Sequence, residues 1–133
     1  MTCYLDTSLA MHALLSTGDN RAARWLDATC ANEELFASRL LHLELVRVLR
    51  REGLDPEWAR AVTDRVNLVS VDDSLLRLAA SIEPHVKSLD SIHLATCLLL
   101  GQRVAVATHD DGMKQAATAL GLDVVDPIAR TTP

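Results

Sequence analysis

Short strand-like runs alternate with helix-forming stretches along nearly the whole of this 133-residue sequence, and that alternation limits the chain to few architectures. Residues 2–5, 34–38, 66–71, 104–107 and 122–125 read as strands: they are brief and rich in Val, Leu and Ala. Most are followed by residues that start helices, namely Asp6-Thr7-Ser8, Asp72-Asp73-Ser74 and Thr108-His109-Asp110-Asp111-Gly112. Helical spacing is expected over 9–15, 21–31, 39–52, 56–65, from Asp72 to about Glu83, over 88–100 and over 113–120. Gly53 and Gly121 stand where C-terminal caps belong, and Pro56 at a first helical position. Strand–helix–strand repetition implies right-handed crossovers, hence an α/β fold with a short, mostly parallel central sheet and helices on both sides. No linker or internal repeat interrupts it, so residues 1–133 are expected to form one domain.

Composition narrows the function classes. Almost half the residues are apolar, yet only Tyr4, Trp25, Phe36 and Trp58 are aromatic, so the core must be Leu, Val and Ala. The net charge of −5 argues against a polycationic nucleic-acid binder. It leaves room for an enzyme that meets phosphate at one locally prepared place, and eight arginines between Arg21 and Arg65 can supply a positive face. Cys3, Cys30 and Cys97 form no C-x-x-C pair and are odd in number, which suits a reducing cytoplasm. No stretch approaches the ~20 apolar residues of a membrane span, and the start has no basic, apolar leader pattern.

In open α/β sheets, ligands bind beyond the carboxyl ends of the strands, so residues just after strands carry the most information. Asp6 follows the first strand and Asp110 the 104–107 strand; each can equally be a helix cap. Asp90 lies in the first turn of the apolar segment Ser88-Leu89-Asp90-Ser91-Ile92-His93-Leu94-Ala95, whose Leu89, Ile92 and Leu99 are expected to face the core. Glu44 sits among Leu41, Leu45 and Val48 on one helix, at or within the apolar stripe, where a carboxylate is costly unless paired or metal-bound. Its bland alternative is a surface pair with Arg47. Four carboxylates arriving together repel one another, and oxygen ligands suit Mg²⁺ or Mn²⁺. The five histidines have no zinc spacing and read as structural or surface, His93 as core-side. Met11, Leu14, Leu15, Trp25 and Leu26 read as core ahead of an exposed association surface.

Tyr4-Leu5-Asp6-Thr7-Ser8, then Glu44, then the Leu89–Ala95 stretch, then Thr108-His109-Asp110 occur in an order that resembles PIN-domain ribonucleases, more narrowly the toxins of bacterial VapBC toxin–antitoxin pairs. The resemblance implies a three-layer α/β/α sandwich and a Mg²⁺- or Mn²⁺-dependent endoribonuclease with Asp6, Glu44, Asp90 and Asp110 as the acidic, metal-holding and catalytic site. Asp6 and Asp90 would be the direct ligands, with Thr7, Ser8 and Thr108 as hydrogen-bonding supports. Asp111 adjoins Asp110 and competes for the fourth place; the Thr-x-Asp spacing favours Asp110. The resemblance also implies an antitoxin partner, a homodimer and an RNA substrate. A catalytically silent binding module is the alternative. A receiver domain lacks a suitably placed lysine, and a dehalogenase-like phosphatase would need Asp-x-Asp where Asp6-Thr7-Ser8 stands.

Overall fold

A computed structural model describes residues 2–101 and 103–130. Five strands, β1 (Thr2–Leu5), β2 (Glu34–Ser38), β3 (Asn67–Val69), β4 (Val104–Ala107) and β5 (Asp123–Val125), form one sheet in the order β3-β2-β1-β4-β5. Every pairing is parallel. The helices are α1 (Thr7–Leu15), α2 (Arg21–Asn32), α3 (Leu40–Arg51), α4 (Arg60–Thr63), α5 (Asp73–Ala80), α6 (Ser88–Leu100) and α7 (Asp111–Ala119).

Strand alternation sends neighbouring residues to opposite faces and so builds two cores. Cys3 and Leu5 of β1, with Leu35, Ala37, Ala105 and Ala107, pack with Leu9, Leu26, Leu41, Leu45 and Leu49 of the first three helices. Tyr4, Val104 and Val106 face the other way, onto Leu94 and Cys97 of α6 and Met113, Ala116 and Ala117 of α7. The result is the expected α/β/α sandwich. Leu26 is buried, and Met11, Leu14, Leu15 and Trp25 lie partly buried against the first core.

Several boundaries differ from the sequence reading. Helix α1 begins at Thr7, so Thr7 and Ser8 are its first turn and not a lead-in. The 56–65 stretch is a 3₁₀ turn, Pro56–Ala59, followed by the short α4. The third strand shrinks to three residues, and α5 ends at Ala80. Gly53 and Gly121 do take up left-handed backbone, φ 70° and 80°, just after α3 and α7. Asp72 caps α5, accepting a hydrogen bond from the Leu75 N–H.

The register of α6 is the clearest correction. Leu89 and Leu99, expected to face the core, are 47% and 59% exposed, Ile92 packs partly buried against Leu75, Ala79 and Ala95 as expected, and His93, Leu94, Ala95, Thr96 and Cys97 are buried. Because α6 is apolar nearly all round, its periodicity carries no phase. Two contact surfaces decide what is buried: the sheet takes Leu94 and Cys97, and α5 takes Ala95 through Leu75 and Ala79.

The strand order reverses between β1 and β4: the chain goes from β1 to β2 and β3 on one side, then crosses to β4 and β5 on the other. Such a switch point leaves a crevice at the carboxyl ends of the two strands, where the connections part in opposite directions. Asp6 follows Leu5 there, and Thr108 follows Ala107; the Asp6 N–H bonds to the Ala107 carbonyl at 2.9 Å.

Candidate active site

A cleft of about 430 Å³ opens at this switch point, lined by Asp6, Thr7, Ser8, Met11, Glu44, Val48, Lys87, Ser88, Leu89, Asp90 and Asp110. The four acids reach it from four elements: the end of β1, the middle of α3, the first turn of α6 and the segment before α7. Asp111 does not line it; its side chain is 90% exposed and lies 3.6 Å from Lys114 Nζ.

Asp6 is 4% exposed, and although it occupies the N-cap position of α1 its side chain makes no capping bond. Its Oδ2 is engaged elsewhere. The hydroxyls of Ser8 and Thr108 both donate to it at 2.8 Å. Each hydroxyl in turn accepts a backbone N–H, Ser8 from His109 at 3.0 Å and Thr108 from Asp110 at 3.1 Å. The Asp6 carboxylate is therefore oriented by two side chains that are themselves anchored. Among the described residues nothing hydrogen-bonds to Oδ1.

Glu44 repeats the pattern. Leu41, Leu45 and Leu49 are the buried stripe of α3, which leaves Glu44 on its edge with 23% of the side chain exposed. Thr7 Oγ1 donates to Oε1 at 2.8 Å, and His93 Nε2 lies 2.6 Å from the same oxygen. Oε2 has no hydrogen-bond partner among the described residues. Val48, expected in the stripe, instead lines the cleft, and among the described residues Arg47 forms no ion pair with Glu44.

Asp110 caps α7 through the Gly112 N–H at 3.2 Å while also lining the cleft. Asp90 makes no side-chain hydrogen bond among the described residues, and Lys87, not Asp90, holds the N-cap position of α6.

The family model for the PIN domain matches residues 3–119, most of the chain. This chain belongs to the PIN-domain family. It is similar to ribonuclease VapC46 of Mycobacterium tuberculosis, 32% identical over 127 residues that span 93% of this chain and 96% of that protein. Ribonuclease VapC35 of the same species is 33% identical over 132 residues, with the same coverage. Among solved structures, a toxin–antitoxin complex from Klebsiella pneumoniae superposes with a TM-score of 0.72 at 19% identity, covering 94% of this chain and 97% of that one. VapBC-1 from nontypeable Haemophilus influenzae gives 0.69 at 18% identity, covering 97% of this chain and 100% of that one. At these identities the structural likeness speaks of the fold.

The electrostatics of this PIN domain show what the acids lack. The Asp90 carboxyl is held above its ordinary value, first by burial, then by the negative charges of Asp6 and Asp110. Glu44 goes the other way: burial opposes its charge, but the bonds from His93 and Thr7 outweigh that and lower it. His93 is raised: burial works against its charge, while the bond to Glu44 and the field of Asp6 favour it.

Among the described residues, no three His, Cys, Asp or Glu side chains stand close enough to enclose an ion by themselves. That is compatible with a small, hard divalent cation, which keeps several waters and takes only one or two carboxylates directly. The donor set fits such an ion: all four acids supply oxygen, Asp6 and Glu44 each keep one oxygen unbonded, and Asp90 bears the repulsion that a cation would relieve.

Three residues, one lining the cleft and two behind it, have no site role in the sequence reading, which takes His93 only as core-side. Lys87 is the one basic side chain among the residues lining the cleft. Tyr4 and His93 lie behind Glu44, both buried, with the Tyr4 hydroxyl bonded to His93 Nδ1. The available signal was that His93 follows Asp90 by three residues, so both lie on one side of α6.

Proposed function

We propose that this chain is a divalent-metal-dependent endoribonuclease acting as the toxin of a toxin–antitoxin pair. The observation that carries this reading is the convergence of Asp6, Glu44, Asp90 and Asp110 on one cleft; Asp90 is raised there by burial and then by the charges of Asp6 and Asp110. The curated relatives, named as VapC ribonucleases at about a third identity over nearly the whole chain, support the same activity.

Asp6 and Asp90 would hold a Mg²⁺ or Mn²⁺ ion directly, and Glu44 and Asp110 would complete the cluster or act through water. When bound, the ion lowers the pKa of water and polarises the scissile phosphodiester. Asp6 presents Oδ1 because Ser8 and Thr108 hold Oδ2. Glu44 presents Oε2, as ligand or as base for the attacking water, because Thr7 and His93 hold Oε1. Lys87 meets a phosphate of the strand. The attacking water would give a proton to Glu44 or to solvent as its oxygen joins phosphorus, and the bond to the 3′-oxygen would break as that oxygen takes a proton from solvent, leaving a 5′-phosphate and a 3′-hydroxyl.

The protein partner is a small antitoxin that covers the acidic cleft, and the chain associates with a second copy and with that antitoxin. A cytoplasmic location fits action on RNA.

The test is to express the chain without an antitoxin and sequence the 5′-phosphate ends of cellular RNA, with Asp6→Asn as control. New ends at recurrent positions that vanish with Asp6→Asn support the reading. Identical end maps for both proteins contradict it and favour a catalytically silent binding module.

A further inference from the structure

A chain of buried hydrogen bonds runs behind Glu44 and has no part in the acidic cluster itself. The Ser38 N–H, at the end of β2, donates to the Tyr4 hydroxyl at 3.1 Å. That hydroxyl bonds His93 Nδ1, and His93 Nε2 bonds Glu44 Oε1 at 2.6 Å. The two rings are 5.8 Å apart, edge to face. Tyr4 is fully buried and His93 is 1% exposed.

The arrangement is over-determined for packing alone. A buried tyrosine hydroxyl and a buried imidazole each cost free energy unless their polar atoms are paired. A Phe and a Leu would fill the same space without that demand. Here every polar atom is used. Tyr4 ties to the backbone of β2, His93 ties to Tyr4, and the one imidazole nitrogen left over is aimed at a carboxylate in the cleft. A carboxylate has no hydrogen to give, so Nε2 must carry the hydrogen in either charge state of the ring. With Nδ1 bonded to Tyr4, the ring can neither flip nor rotate without breaking two bonds.

We infer that Tyr4 and His93 are positioning residues that fix the Glu44 carboxylate with Oε1 bound inward and Oε2 turned to the metal and the substrate phosphate. This rests on the metal-dependent reading above. It makes β1 support the site twice: Tyr4 orients Glu44 from one face of the strand, and the next residue but one, Asp6, enters the cleft directly. Glu44 then receives the same treatment as Asp6, whose inner oxygen is held by Ser8 and Thr108. The general rule is that groups orienting a metal-binding side chain matter nearly as much as the ligand.

The test compares wild type with Tyr4→Phe, His93→Gln and His93→Leu, measuring Mn²⁺ affinity by calorimetry, kcat and KM for RNA cleavage, and Tm. A glutamine amide can place its nitrogen where His93 Nε2 stands; leucine cannot. His93→Leu is expected to weaken Mn²⁺ binding and lower kcat by on the order of 10- to 100-fold, with KM little changed. His93→Gln recovers most of that loss, and Tyr4→Phe falls between. Should His93→Leu not fold, Tyr4→Phe against wild type carries the same comparison. A role in packing alone predicts lowered Tm with unaltered Mn²⁺ affinity in all three variants, and that result, or Gln performing no better than Leu, overturns the inference. A wild type that binds Mn²⁺ and cleaves RNA while every variant matches it removes this inference only. A wild type that does neither removes the underlying reading as well.

Discussion

Asp90 is placed at a cost to the fold. It sits in the first turn of α6 without a hydrogen bond of its own among the described residues, raised by burial and by Asp6 and Asp110. A raised carboxyl disfavours the charged form in the folded state. The penalty is therefore absent at low pH, where Asp90 is protonated, and appears as pH climbs through its raised folded value. Asp90→Asn removes the charge and keeps the shape. At neutral pH without metal it is expected to stabilise the protein modestly, raising Tm by roughly a few degrees, because solvent screens part of the repulsion at a half-exposed site. The gain shrinks as pH falls below the carboxylate range, and thermal melts at several pH values in EDTA check it. Activity moves oppositely: the same variant loses RNA cleavage by roughly 100-fold or more, beyond the loss from removing a supporting bond.

Helix α6 shows both what a sequence reveals and what it conceals. Its existence and its start are legible, because a mostly apolar stretch of helical spacing begins at Ser88 and ends at Gly101. Its phase is not. Leu89, Ile92 and Leu99 have helical spacing, but so do Leu94 with Cys97 and Ile92 with Ala95, and only the contacts with the sheet and α5 bury the latter set and leave Leu89 and Leu99 exposed. The consequence is measurable by urea unfolding. Leu94→Ala is expected to cost about 2–5 kcal/mol, because it opens a cavity between α6 and the sheet. Leu99→Ala, on the exposed side, is expected to stay within about 0.5 kcal/mol. Asp6, Asp110 and Thr108 are legible for a related reason: the ends of strands are marked locally, by polar helix-starting residues after a short apolar run. Glu44 is legible as an anomaly in the stripe of α3. Its bond to His93 is not, since the partners are 49 residues apart on different helices, and no local pattern records which helices the fold brings together. Residues 56–65, expected as one helix, form a 3₁₀ turn, Pro56–Ala59, and then the short α4, a split that no local pattern marks.

At the scale of the molecule, one sheet reversal explains why four distant acids share a cleft. Between β1 and β4 the connections part, and α1, α3, α6 and the start of α7 each turn one carboxylate or its support into the gap. The fold is thus held together around a locus of like charge, and a cation bound there stabilises the whole. With free Mn²⁺ at about 100 times its dissociation constant, linkage predicts a gain of about 2.7 kcal/mol, on the order of 10 °C in Tm, over the EDTA-treated protein. In Asp6→Asn the shift is expected to disappear, a thermal-shift comparison that needs no substrate.

The most direct test is the rate of RNA cleavage by the purified chain as Mn²⁺ is titrated into the EDTA-treated protein. A catalytic metal held by the four carboxylates predicts no cleavage at the start, a saturable rise with metal, and a flat line for Asp6→Asn at every metal concentration. Cleavage that persists in EDTA, or that rises equally in Asp6→Asn, would contradict it.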